Sequence, residues 1–263
     1  MKKLLKKVIE IKDKVWTLAI VDFKIRYAGS YLGLLWSLIE PLILIISYSV
    51  IFPLILKVNF VDWFLFFVCG LIPYRYLRKG ILELTRCFTD YSHILVKSDI
   101  NLETIILVKA ISTTLSFFIE LSIILLLISF FVSFSIYILL LPIIIFISFL
   151  IIIGFGLYFS VLYLQMRDLN YILTIIFEIL LFLTPIVYRI EDIPSLYRGV
   201  YMLNPITILI YLYQGILLYS SPKFIEHISI VKGLIILLLF SFVLCIIGYK
   251  KFKKEKRIVR ELI

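Results

Sequence analysis

The sequence predicts an all-α membrane protein with six transmembrane helices, an N-terminal amphipathic interface helix, and an external re-entrant helical hairpin between spans five and six. Three observations carry this. Of 263 residues, 63% are hydrophobic and 17% charged, and the mean hydropathy is +1.12, whereas a soluble domain is about 45–50% apolar and about 25% charged. Apolar runs long enough to cross a bilayer recur between short polar breaks. The 27 Lys and Arg residues gather at the two ends and in one loop. Disorder, a collagen repeat, a disulfide scaffold and an ordinary soluble enzyme are thereby excluded. The net charge of +10 reads as topology, with no nucleic-acid partner.

Residues 1–31 hold eight Lys/Arg and no uninterrupted apolar core, so they are not expected to be a signal peptide. Leu4, Leu5, Val8, Ile11, Val15, Leu18 and Ala19 recur at helical spacing with lysines opposite. That pattern predicts a helix lying in the membrane surface. Leu32–Leu56, interrupted by Glu40 alone, supplies the first span. Val58 to Leu82 is the second, with Arg75, Arg78 and Lys79 able to snorkel at its end. A polar stretch, 83–109, follows. From Ala110 to Met166 the sole charge is Glu120, and the length suffices for two spans turning near 133–137. Leu169–Tyr188 and Gly233–Tyr249 complete the six.

The remaining apolar segment, Gly199–Pro222, is settled by charge. The leader and the tail 250–263, with seven Lys/Arg, both belong inside, so the number of crossings is even. With six spans, 22 basic residues lie inside and five outside. Asn204-Pro205 and Gly215 then divide the leftover segment into the two short arms of a re-entrant hairpin. The whole chain, 1–263, reads as one transmembrane unit. It comprises the interface helix 1–31, a membrane region 32–249 with a cytoplasmic loop 83–109 and an external re-entrant gate 190–231, and a basic cytoplasmic tail 250–263. Both termini are expected on the cytoplasmic side of the cytoplasmic (inner) membrane.

Chemistry-bearing motifs are scarce. No GxxxxGK[ST], GxSxG, HExxH or GxGxxG occurs. Cys69, Cys87 and Cys245 stand alone, and His93 and His227 fall on opposite sides of the bilayer. No catalytic residue, metal site or cofactor is expected, and Glu191-Asp192 reads as a turn before Pro194.

Several short motifs together resemble one family. Asp22-Phe23-Lys24-Ile25-Arg26-Tyr27, then Leu32-Gly33-Leu34-Leu35-Trp36 and Glu40-Pro41, are similar to the opening signature of type-2 ABC exporter permeases that export bacterial surface polysaccharides. Phe66–Tyr74, Arg167-Asp168-Leu169, Leu183–Tyr188 and Leu203-Asn204-Pro205 follow in the same order. The resemblance covers nearly the whole chain. It implies export of a lipid-linked O-antigen, teichoic acid or capsular polysaccharide, with a drug, lipid or small-molecule exporter as the alternative. It also implies a homodimer bound to two copies of a separate ATPase subunit, which carries the ATP and Mg. Further implications are a coupling helix with Asp90, Lys97, Asp99 and Glu103 facing that ATPase, and an external gate near Pro185, Asn204 and Pro205.

A sugar polymer needs aromatic faces for its C–H surfaces and scattered polar tips for its hydroxyls. Trp36, Glu40, Tyr48 and Phe52 on the first span, with Phe177, Glu178, Phe182 and Tyr188 on the fifth, are the candidate conduit. A carboxylate at membrane depth costs about 2.5–3.5 kcal/mol on insertion scales, so Glu40, Glu120 and Glu178 should face protein or water. Arg26 and Tyr27 are candidates for contact with lipid phosphate at the cytoplasmic entry. Arg167 and Asp168 occupy the inner turn before the fifth span, as an ion pair or as part of a cytoplasmic gate.

Overall fold

The computed structural model describes residues 2–29, 31–97, 100–218 and 229–262; within these, the side chains of 2–11, 27, 34, 257, 258 and 260–262 are left aside. All regular structure among the described residues is helical: α1 (Lys2–Tyr27), α2 (Trp36–Leu56), α3 (Phe60–Asp90), α4 (Ser92–Lys97), α5 (Leu102–Ser129), α6 (Leu141–Gln165), α7 (Leu169–Leu183), α8 (Ser195–Tyr201), α9 (Pro205–Leu218) and α10 (Ile230–Leu262). Five stretches are long and apolar enough to cross a membrane: α2, α3, α5, α6 with its lead-in turn from Ile136, and α10 to Lys256. Helices α8 and α9 together would make a sixth, but they bend by 102°.

The helix ends follow local chemistry. Lys57 adopts a left-handed conformation (φ 53°) after α2, and the Asn59 side chain caps α3 by accepting from the amides of Val61 and Asp62 at 2.9 and 3.3 Å. At α9, Asn204 Oδ1 accepts from the Ile206 amide at 3.0 Å, and Pro205 fills the first helical position, where its missing N–H is no loss. The expected fifth span differs from the observed one. Helix α7 stops at Leu183 instead of running to Tyr188. Thr184 is pushed to extended backbone (ψ 137°) by the ring of Pro185. Fifteen residues give a helix of about 22 Å, shorter than a hydrocarbon core of about 30 Å.

Helix α3 is the axis of the bundle. Its apolar window is 72% buried, against 22% for α2 and 17% for α10. Small residues permit this closeness. A Cβ on Gly156 would meet Leu84 at 2.4 Å, and one on Gly80 would meet Ile152 at 2.7 Å, so α6 lies hard against α3. On the other side of α6, a Cβ on Gly248 would come within 2.3 Å of the Gly154 carbonyl oxygen, which holds α10 equally close. The expected polar loop 83–109 is mostly helix. Helix α3 continues through Glu83 to Asp90, α5 starts at Leu102, and α4 sits between them.

Candidate functional site

The second half of α3 carries Arg75, Arg78, Lys79 and Arg86, and it draws α2 and α7 to itself. Arg75 pairs with Glu40 of α2 at 3.1 Å, and Arg78 pairs with Glu178 of α7 at 3.1 Å. Two of the three glutamates singled out in the sequence, Glu40 and Glu178, are thus brought to one helix. Their side chains remain 65% and 63% exposed. Beside these pairs runs a groove of about 290 Å³ lined by Glu40, Arg75, Arg78, Lys79, Glu83 and Arg86. Glu120 on α5 is buried behind it, within electrostatic reach of Arg75 and Lys79.

Where the groove meets α1, a network of charge joins three helices. Arg26 forks onto Glu83, with its two terminal nitrogens 2.6 and 2.7 Å from the two carboxylate oxygens. It also donates to Ser112 at 3.3 Å and lies 3.5 Å from Asp22. Lys109 of α5 lies 3.4 Å from Asp22 and 3.9 Å from Glu83. Thr113 donates to Glu83 at 3.0 Å, and the Tyr91 hydroxyl donates to Asp22. Burial alone would raise the Asp22 carboxyl, but Lys109, the bonds from Ser112 and Tyr91, and Arg26 outweigh it and hold Asp22 below its ordinary value. Burial, and then the Asp22 carboxylate, push the Tyr91 phenol upward. Around this network Val15 and Ala19 pack on Val108, so α1 is latched to the base of α5 as well as shaped for a membrane surface. Arg26 therefore has its fork on Glu83, and the side chain of Tyr27 lies outside the described set.

The aromatic candidates divide. Trp36 and Phe182 are exposed (47% and 52%). Tyr48 and Phe52 stack in near-parallel fashion on Phe67 and Trp63 of α3, with centroids 5.3 and 5.9 Å apart, so one face of each ring is covered. Trp63 Nε1 in turn donates to the Val187 carbonyl at 2.8 Å, tying the segment after α7 to α3. Phe177 is buried edge-on against Tyr74, whose hydroxyl donates to the Phe177 carbonyl. Tyr188 is half-buried and donates to the Phe182 carbonyl at 2.7 Å.

After α7, Pro185 is buried and its carbonyl accepts from Gln214 of α9 at 3.2 Å, a contact that no periodicity signalled. Asn204 and Pro205 cap α9 as described; 219–228, the remainder of the expected gate with His227, lies outside the described residues. Around α4, Asp90 and Lys97 are exposed, and Asp99 lies outside the described residues. Glu103 pairs with Lys256 of α10 at 2.5 Å, so it ties α5 to the tail. Arg167 and Asp168 are both exposed, and among the described residues no ion pair joins them.

Long apolar helices wrapped around a buried axis, with a polar latch and cationic groove at one end, define a multi-pass membrane protein. The chain belongs to the ABC-2 type transporter family, whose model matches residues 13–218. It is thus the permease of an ABC transporter, and an ABC ATPase is the partner that membership implies. Its relatives include an O-antigen export system permease protein RfbA of Klebsiella pneumoniae, 26% identical over 244 residues that cover 92% of each chain. A second protein of the same name and organism is 25% identical over the same length. The O-antigen export system permease protein RfbA of Myxococcus xanthus is 21% identical over 198 residues, 74% of this chain and 76% of that one.

Proposed function

We infer that the chain is the transmembrane subunit of an ATP-driven exporter that carries a lipid-linked cell-surface polysaccharide, of O-antigen, teichoic acid or capsular type, across the cytoplasmic membrane. The observation that carries this reading is likeness over 92% of both chains to permeases named for O-antigen export. Physical support comes from α2 and α7. They flank the same face of α3, remain largely exposed in one protomer, and present Trp36, Glu40, Glu178 and Phe182 there. Two copies facing each other across these surfaces would enclose a conduit with ring faces for sugar C–H surfaces and carboxylates for hydroxyls. Tyr48, Phe52, Phe177 and Tyr188 support that wall from behind. Each protomer binds one copy of a separate ATPase subunit, which carries ATP and Mg, through α4 and the exposed Asp90 and Lys97. Arg26, Tyr27, Arg167 and Asp168 belong to the cytoplasmic entry.

Both termini are cytoplasmic in this reading, and α7 is the fifth crossing. Its 15-residue helix is extended by residues 184–188. Their irregular backbone is tolerable at membrane depth because Thr184, Ile186 and Val187 are buried in protein. Residues 184–188 run on as turns and bends, tied to α3 by the bond from Trp63 Nε1 to the Val187 carbonyl. The sharply bent α8–α9 pair then dips back as the external gate.

The test is deletion of the gene followed by complementation. The expected result is loss of surface glycan with intracellular accumulation of the lipid-linked polymer, restored by the wild-type chain. Unchanged surface glycan, or resistance to small toxic compounds as the only altered trait, would overturn the polysaccharide reading in favour of small-molecule export.

A further inference from the structure

We propose that the groove on the cytoplasmic half of α3 is a seat for the phosphate headgroup of the lipid anchor, with Arg75, Arg78, Lys79 and Arg86 as its ligands. This deepens the export reading above and rests on it. Position is the first argument. Measured from Phe60 at 1.5 Å per residue, Arg75 lies about 22 Å and Lys79 about 28 Å along α3, and the apolar layer is about 30 Å thick. The groove therefore opens at headgroup level and continues towards water at Arg86. Cations at such a depth are retained for a partner.

Charge and geometry are the second argument. Four cations line the groove against the carboxylates of Glu40 and Glu83, and Glu83 already receives the Arg26 fork. Among the described residues, no carboxylate lies within ion-pair distance of Lys79 or Arg86. The Arg75 side chain is 14% exposed, and its buried Nε has no hydrogen-bond partner. A planar guanidinium fork with one nitrogen on Glu40 and an idle Nε is prepared to take phosphate oxygens. At about 290 Å³ the space sits at the low end of small-molecule sites. It suits a headgroup rather than a glycan.

The third argument concerns exchange. Glu40 and Glu178 hold Arg75 and Arg78 only through solvent-exposed pairs, which phosphate oxygens can displace. Arrival of the headgroup would remove one tie of each of α2 and α7 to α3 while the ring contacts of Tyr48, Phe52 and Phe177 remain, so binding the anchor also loosens the conduit walls.

The experiment uses the full chain in nanodiscs, with polyprenyl diphosphate as the probe and polyprenol, phosphatidylglycerol and inorganic diphosphate as comparisons. Polyprenyl diphosphate is expected to bind at least tenfold tighter than polyprenol or phosphatidylglycerol. The R75Q/R78Q pair should weaken it at least tenfold, and K79Q/R86Q several-fold. E40Q/E178Q, which removes the competing carboxylates, should tighten it several-fold and so reports even if the arginine variants fold poorly. Unchanged affinity in the arginine variants, or equal binding of polyprenol, overturns the proposal. Equal binding of phosphatidylglycerol marks a general anionic-lipid surface, and equal binding of inorganic diphosphate marks a free-phosphate site; either rejects the anchor seat. Failure of the export reading shows separately, as surface glycan that survives deletion of the gene.

Discussion

Replacing Glu83 by Gln tests whether the latch on α1 is an energetic unit. The substitution keeps the side chain's shape and removes its charge. Arg26 then loses two charge-assisted bonds of 2.6 and 2.7 Å and retains Ser112 at 3.3 Å and Asp22 at 3.5 Å. Hydrogen bonds to charged groups contribute about 1.5–3 kcal/mol each, and breaking a fully buried pair costs about 3–5 kcal/mol. Both side chains here are 16% exposed, and Asp22 recovers part of the loss. About 2–3 kcal/mol is therefore the expected destabilisation. Arg26→Gln should cost a similar amount, and the double variant little more than either alone, giving a coupling energy of about 2 kcal/mol. Equilibrium unfolding in mixed micelles, run as a double-mutant cycle, measures this. Hydrogen exchange across residues 12–27 should rise in each single variant, because the remaining hold on α1 is the Val15–Ala19–Val108 patch and the contacts of Asp22 with Lys109 and Tyr91. A coupling below about 0.5 kcal/mol, or unchanged exchange in α1, would refute the latch.

Asp22 sets a pH signature for the same region. Its folded value lies below the ordinary 3.8, so its stabilisation is complete above that value and fades as pH falls through the lowered one. Exchange protection of α1 should thus be flat from pH 8 to 5 and decline only in stronger acid, and Asp22→Asn should abolish that decline. At the α6–α10 contact, Gly248→Ala drives a methyl to within 2.3 Å of a backbone oxygen. An overpacking loss of about 1–3 kcal/mol is expected, read as a lower melting temperature, whereas Gly199→Ala, with open space around it, should be silent. In a background lacking Cys69, Cys87 and Cys245, a cysteine replacing exposed Leu196 should label only from outside, and one replacing Ser92 only from inside. The reverse pattern would invert the proposed topology.

The helices were legible because hydropathy and the basic ends announce them, and Asn204-Pro205 marked the break before α9. Two boundaries were not. Val187 and Tyr188 are as apolar as the helix before them, so only the steric demand of Pro185 reveals the stop at Leu183. Helix α3 runs on through Glu83 and Arg86 because those side chains have partners or water beyond the apolar layer, and a run of charges by itself looks like a loop. Glu40 and Glu178 were visible as costly residues, yet their attachment to Arg75 and Arg78 was not. These partners lie 35 and 100 positions away, beyond any local pattern. The same distance hid the joining of Asp22 to Tyr91 and Lys109.

The pairing of Glu103 with Lys256 has a mechanical consequence. Together with the Gln165–Glu255 bond of 2.8 Å and the full burial of Phe252 beside Phe88, it rivets the start of α5, the end of α6 and the later turns of α10 to the end of α3. That corner of the bundle is therefore stiff. Helices α2 and α7 have looser ties to α3, since their ion pairs are open to solvent and ring contacts of Tyr48, Phe52 and Phe177 supply the rest of their hold.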